Sequence, residues 1–380
     1  MVDWLWSFSG SRETLGVALR TMSICTPMRK RLVGVLIVAL SGILPLACYP
    51  DNPMSTFDAT GPVAQSQLDL FWMIFWAALV VFIVVEGVLV YTIIRYRRKS
   101  EDYDPPQTHG NTVLEISWTI LPAIILAIVA VPTVTTIFDN ANSPSLVGEP
   151  AIEVEAVGYQ WWWEFKYDDP NNPGNEIVTA NEMHIPVDTV VNVTLSSPNV
   201  LHSFWIPKIA GKVDVVPNNV NTLWIKAEET GSFLGQCAEF CGVAHANMRF
   251  RVIVESSTEF DAWLASQDEP ALEPVDPLAI EGKTIFEGNQ AQCWTCHTVS
   301  GSAKAQGTVG PNLTHVGSRT HIASGIRVND QKNLREWIAD PDRVKPGNLM
   351  SATAKVYTDP TSKLTDAQVS ALVRYLQGLK

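Results

Sequence analysis

The stretch Gly235-Gln236-Cys237-Ala238-Glu239-Phe240-Cys241-Gly242-Val243-Ala244-His245-Ala246-Asn247-Met248 decides how this chain is read. It sets two thiols, an imidazole and a thioether close together, and a second imidazole stands upstream in Leu201-His202-Ser203-Phe204-Trp205. Thiolate, imidazole and thioether are soft donors suited to copper. A mononuclear blue-copper site uses one cysteine and two histidines. A second cysteine four residues on lets both sulfurs bridge two copper ions, which spreads the charge and keeps the ligand geometry nearly fixed on electron transfer. A Cys2His2 zinc site draws on the same residues but leaves Met248 and its β-rich setting unexplained.

Outward from this cluster, the chain from about residue 150 breaks into short segments rich in Val, Ile, Thr and aromatics, separated by Pro, Asn, Asp and Gly. Residues 151–157, 161–167, 190–195, 222–227 and 249–254 are examples, and their spacing predicts an antiparallel sandwich or barrel over 150–256. Residues 257–276, with Glu269, Pro270, Glu273, Pro274 and Asp276, have the composition of an acidic, proline-punctuated linker.

Upstream lies the membrane part. The chain has 380 residues, of which 46% are hydrophobic and only 17% charged, against a globular norm of roughly 25%. The shortfall comes from apolar runs at 68–94 and 115–138, each longer than the roughly 20 residues a bilayer requires. Together they predict a transmembrane hairpin over 60–140. Arg95, Arg97, Arg98 and Lys99 between the runs place that loop in the cytoplasm, and everything after Phe138 outside. Pro122 and Pro132 are tolerable in a lipid-embedded helix, and Glu86 is expected to face protein. An earlier run, 32–47, follows Arg29-Lys30-Arg31 and precedes Cys48. It has the form of a leader over 1–47, with lipid attached to Cys48 as the first mature residue. Pro45 departs from the usual lipobox, and a retained membrane helix is the alternative.

Downstream, Cys293-Trp294-Thr295-Cys296-His297 is a c-type haem attachment motif. Two thiols three positions apart reach the two vinyl groups of one haem, and the adjacent imidazole becomes an axial ligand. Met350 is the only methionine after Met248 and sits in the turn-rich Lys345-Pro346-Gly347-Asn348-Leu349-Met350. Elimination makes it the second axial ligand, with His315 and His321 as rivals. Helical spacing at 278–286, 333–339 and 365–379, the last with Thr365 and Gln368 as N-cap and capping box, predicts a small helical module over 277–380.

This last module resembles class I cytochrome c, carrying Gly310-Pro311-Asn312-Leu313 between the haem motif and the Met350 loop. The resemblance implies that the Pro311 carbonyl orients His297. Residues 60–260 resemble subunit II of haem-copper cytochrome c oxidase, through Trp118-Thr119-Ile120-Leu121-Pro122, Gln160-Trp161-Trp162-Trp163 and the cysteine cluster. That resemblance implies a membrane hairpin, a cupredoxin β-sandwich or barrel, and a fused all-α class I cytochrome c domain. It further implies a binuclear CuA centre held by His202, Cys237, Cys241, His245, Met248 and the Glu239 carbonyl. The Glu239 side chain would reach a magnesium ion at the boundary with subunit I. Trp161 matches the aromatic through which electrons arrive from cytochrome c, and Glu115 a carboxylate near a proton-channel mouth. Their plainer readings are sheet packing for the neighbouring tryptophans and an interfacial carboxylate for Glu115.

The expected partners are therefore oxidase subunit I, subunit III, and a donor that is cytochrome c, another small redox protein or a quinol-oxidising complex. The expected place is a bacterial plasma membrane, crossed more than once, with the copper and haem domains on the outer face. Copper clusters of this kind also occur in nitric oxide and nitrous oxide reductases, but the helix hairpin and the Glu115 segment favour the oxidase. A copper carrier needs exchangeable ligands, and quinol-oxidising relatives lack the copper ligands present here. Net charge is −12 overall, distributed as −2 over 1–140, −14 over 141–276 and +4 over 277–380. Such a chain is a poor nucleic-acid binder. The split predicts that the basic haem module is steered onto the acidic copper module at a salt-sensitive rate.

Overall fold

The computed structural model describes residues 34, 52–98, 106–107, 109–170 and 172–380. Apart from Gly34, the expected leader lies outside the described residues, as do Cys48 and Lys99. Two helices, α1 (Pro62–Arg95) and α2 (Thr112–Ala141), contain the two apolar runs and extend beyond them at both ends. Pro62 opens α1, where its missing N–H costs nothing. Asn111 caps α2 by accepting from the Val113 and Leu114 amides. Both are long and apolar enough to cross a bilayer, and their apolar windows are exposed.

The hairpin is keyed to the domain above it by hydrogen bonds at its upper end. The Thr60 amide donates to the Lys208 carbonyl at 2.7 Å, and the Glu228 amide donates to Thr60 at 2.9 Å. The Trp224 indole donates to the Asn140 carbonyl at 3.0 Å. Gly61 is needed here because a Cβ would lie 2.3 Å from the Lys226 oxygen.

That domain is a sandwich of two five-stranded sheets. The first holds β1 (Ala151–Tyr159), β2 (Trp162–Asp168), β3 (Glu176–Ala180), β5 (Val190–Ser196) and β8 (Asn221–Ile225), in the order β3-β2-β1-β5-β8. The second holds β4 (Glu182–Pro186), β6 (His202–Trp205), β7 (Lys212–Val215), β9 (Gly231–Cys237) and β10 (Arg249–Glu255), in the order β4-β10-β9-β6-β7. The sheets are mixed and not wholly antiparallel as the strand spacing suggested: β1 pairs with β5 and β10 with β4 in parallel. Spacing along the chain reports strand length but not which strand lies alongside, so it is silent on direction. Alternate residues point inward, and Trp163, Phe165, Phe204 and Phe250 fill the space between the sheets. Phe204 and Phe250 stack at 4.7 Å between ring centroids.

Residues 257–276, expected as a linker, begin with a helix, α3 (Ser257–Asp268). Ser256 and Glu259 form a capping box, Phe260 is buried, and Trp263 stacks on His184 at 4.1 Å. Acidic composition masked the apolar face of Phe260, Trp263 and Leu264, so only the residues after Glu269 serve as connector. Even these are held, since the Ala271 amide donates to Ser300 and His315 Nε2 donates to the Glu269 carbonyl at 3.0 Å.

The C-terminal module packs α4 (Pro277–Phe286), α5 (Gln331–Ala339) and α6 (Asp366–Gly378) around Phe286, Leu334, Leu372, Tyr375 and Leu376. Helices α4 and α6 approach so closely that a Cβ at Gly282 would lie 2.1 Å from the Ala371 oxygen. The capping box of Thr365 and Gln368 is formed. A two-residue strand pair, His321–Ile322 with Arg327–Val328, is the module's β element. Residues 53–380, all three parts included, form one compact unit.

Candidate copper and haem sites

His202 opens β6, Cys237 ends β9, and Cys241, His245 and Met248 follow on the loop into β10. The loop closes on itself where the Cys237 amide donates to Met248, and ties to β6 where the Ala238 amide donates to Ser203. The sulfurs of Cys237 and Cys241 stand 3.8 Å apart, far beyond the roughly 2.05 Å of a disulfide. His202 Nδ1 lies 3.8 Å from the Cys237 sulfur, and His245 Nδ1 lies 3.6 Å from that of Cys241. The Met248 sulfur is 3.8 Å from Cys241, and the Glu239 carbonyl 3.2 Å from Cys237. Cys237, Cys241, His202 and Met248 are all buried. The six donors named from sequence thus meet in one place.

Electrostatics fit the donor set to a bound cation. Hydrogen bonding from the Cys241 thiol, then from His202 and backbone donors, holds the Cys237 thiol far down, at about 3, against burial. The same pairing and burial push the Cys241 thiol up. A second thiolate so close to the first is stable only when metal charge neutralises both. Among the described residues, His202, Cys237 and Cys241 form a cluster whose ligating atoms all lie within 4.8 Å of one another.

Cys293, Cys296, His297 and Met350 line one cleft. His297 Nδ1 donates to the Pro311 carbonyl at 2.8 Å, which leaves Nε2 as the nitrogen free for iron. Burial holds its pKa below the ordinary imidazole range, so the ring is in its neutral, ligating form. The Gly310 amide donates to Cys296 at 2.7 Å, and a Cβ at this glycine would lie 2.6 Å from His297 Cε1. The apolar walls, among them Leu334, Ile338, Leu372 and Leu376, suit a haem. His321 also borders the cleft, with Nδ1 2.8 Å from Thr320 Oγ1. His315 instead points to the linker carbonyl of Glu269.

The same cleft is bordered by Gln160, Trp161 and Trp162 of the sandwich. Trp161 is 9% exposed, and its indole donates to the Cys241 carbonyl at 2.9 Å, beside a 2.8 Å bond from Gln160 Nε2. Glu239 Oε1 accepts from the Phe240 amide at 3.2 Å. Glu115, in the first turn of α2, and Glu86 of α1 are exposed on the hairpin. Sequence reasoning assigned no role to Gly158, where a Cβ would lie 2.9 Å from His202 Cδ2, nor to Glu182, Ser324 and Lys345 between the modules. Their partners are distant in sequence, so no local pattern announced them.

A pair of membrane-crossing helices carrying a copper-suited sandwich, fused to a haem-attachment module, defines a class: membrane-anchored electron-transfer subunits. Family models described as cytochrome C oxidase subunit II, transmembrane domain, and cytochrome C oxidase subunit II, periplasmic domain, match residues 52–136 and 173–257. One described as cytochrome c matches 279–380. Cytochrome c oxidase subunit 2 of Alkalihalophilus pseudofirmus is 39% identical over 338 residues, covering 88% of this chain and 93% of that one. Its namesake from Bacillus subtilis is 34% identical over 361 residues, covering 91% and 97%. A quinol oxidase subunit 2 from Bacillus cereus is 31% identical over 243 residues, covering 61% and 81%. The chain belongs to the cytochrome c oxidase subunit II family, in a form with a fused cytochrome c domain. It is a membrane protein, one subunit of an oxidoreductase, associates with subunit I of a haem-copper oxidase, and has copper-binding and haem-binding modules.

Proposed function

We propose that this chain relays electrons from an external donor through haem c and a binuclear CuA centre to the oxygen-reducing haem and copper of subunit I, where proton translocation is coupled. When bound, the haem and the copper pair would supply one-electron carriers. The chain's own residues hold and insulate them. Cys293 and Cys296 anchor the haem, His297 and Met350 ligate its iron, and the Pro311 carbonyl orients His297. His202, Cys237, Cys241, His245, Met248 and the Glu239 carbonyl hold the two coppers. The Glu239 side chain faces a magnesium ion shared with subunit I, Trp161 links donor to copper, and Glu115 stands near a proton channel of subunit I. The soluble domains, divided near 150–256 and 277–380, lie on the outer face, and subunit III completes the assembly.

The observation that carries this proposal is the pair of cysteine sulfurs at 3.8 Å with an imidazole within 3.8 Å of each. Optical and electron-paramagnetic spectra of the full chain in detergent, loaded with copper, test it. The expected result is a mixed-valence signal shared by two coppers beside low-spin haem c bands. A colourless, spin-silent zinc protein at the sulfur cluster overturns it.

A further inference from the structure

The haem module does not rest on the sandwich through apolar surface alone; two buried polar contacts cross the boundary. In the first, the Glu182 carboxylate at the start of β4, 2% exposed, accepts three hydrogen bonds from the haem module. The Thr320 amide donates at 2.8 Å, the His321 amide at 2.9 Å, and the Thr320 hydroxyl donates to the same oxygen. In the second, Lys345, 3% exposed, reaches out of the haem module so that its ammonium donates to the Trp161 carbonyl and, at 2.6 Å, to the Ser324 hydroxyl. Ser324 donates in turn to the same Trp161 carbonyl at 2.8 Å, while its own carbonyl accepts from Arg249 of β10.

A buried carboxylate or amine is costly unless its hydrogen-bond partners are in place. All three donors to Glu182 come from the other module, and Lys345 and Ser324 together reach across to one carbonyl of it, that of Trp161, so the two contacts are satisfied together in the placement seen here. Shifting the modules leaves buried hydrogen-bonding groups unpaired in the interior, which is the situation in which a buried polar group specifies register. The placement so fixed concerns electron flow directly. Trp161 is gripped at its carbonyl by Lys345 and Ser324, and donates through its indole to the Cys241 carbonyl. Trp161, Lys345 and Met350 all border the haem cleft.

We propose that Lys345, Ser324 and Glu182 are positioning residues that lock the haem module in one fixed seat over Trp161, and that this seat, not an encounter across a flexible linker, sets the rate of internal electron transfer. The step is one electron leaving ferrous haem and reducing the oxidised copper pair, with no proton moved. The proposal rests on the functional reading above, and the spectra of both centres report on that reading separately from the seat.

The experiment uses the purified oxidase containing the full chain, as native protein and as Lys345→Met, Ser324→Ala and Glu182→Gln. Haem c is photoreduced, its reoxidation by copper is timed, and hydrogen exchange is followed at the amides of Arg249, Thr320 and His321. In native protein the rate is expected to stay flat between low and high salt. Lys345→Met is expected to slow transfer at least tenfold and Ser324→Ala severalfold, while haem and copper spectra are unchanged. Glu182→Gln is expected to speed exchange at Thr320 and His321 at least tenfold. If Lys345→Met loses its haem spectrum, Ser324→Ala and Glu182→Gln carry the decision. Native-like rates and exchange in the variants that keep both spectra overturn the proposal. So does a native rate that falls severalfold with salt, which restores the steered encounter.

Discussion

At the scale of single residues, the candidate donors of the two sites were legible in the sequence, but the residues that support them were not. Cysteine, histidine and methionine announce themselves by type and spacing, as in Cys237 to Met248 and Cys293 to His297. Gly310 announces nothing alone, yet it makes room for the His297 ring. Gly310→Ala is expected to tilt that imidazole and weaken its bond to Pro311. The measurement is the haem c reduction potential and spectrum, expected to change while the copper signal is kept. His315 gives a pH dependence whose sign is fixed. Burial outweighs its backbone hydrogen bonds and holds its pKa below 6.5, so the folded chain binds fewer protons here than the unfolded chain. Stability from this group is present above about pH 6.5 and is lost as pH falls toward the lower folded value. Thermal melting of the haem module between about pH 7.5 and pH 5.5 is expected to show this slope, and His315→Asn to flatten it.

At the scale of elements, what the sequence carried depended on the length of the signal. The two membrane helices were readable because some 25 predominantly apolar residues have few other uses, and α6 because its cap and apolar face agree. Strand positions were readable in part, but pairing was not: the parallel neighbours β1 and β5 lie about 40 residues apart in the chain. Helix α3 reads as linker in the sequence because its few apolar positions are outnumbered by acidic and small residues and are followed by prolines. Its role is structural, since the Trp263 ring lies flat on His184, whose Nδ1 is 3.3 Å from Glu255. Trp263→Ala is expected to cost about 2–3 kcal/mol, just under the usual range for truncating a buried aromatic because the ring is only partly buried. A lowered denaturation midpoint for the sandwich, with the copper spectrum unchanged, is the corresponding measurement.

At the scale of the whole molecule, the charge division between an acidic and a basic module was visible in composition, but the way they meet was not. Composition counts charges without placing them, and the boundary is made by Glu182 and Lys345, one buried ionisable side chain from each side. The seated haem module also leaves Trp161 only 9% exposed, which restricts who can deliver electrons to it. In rapid mixing with a soluble reduced donor, haem c is expected to be reduced before copper. The copper phase is expected to level off at a rate independent of donor concentration; copper reduction that keeps rising with donor would contradict this.

The hydrogen bonds joining Thr60 to Lys208 and Glu228, and Asn140 to Trp224, give the molecule a mechanical property. They make the helix pair a keyed post, with the sandwich mounted at one height and one azimuth. One inserted residue near the top of α1 would turn everything below it by about 100° relative to that mount. The orientation of the sandwich on its membrane post is therefore set at residues 60–66, a stretch that contributes none of the candidate copper or haem donors.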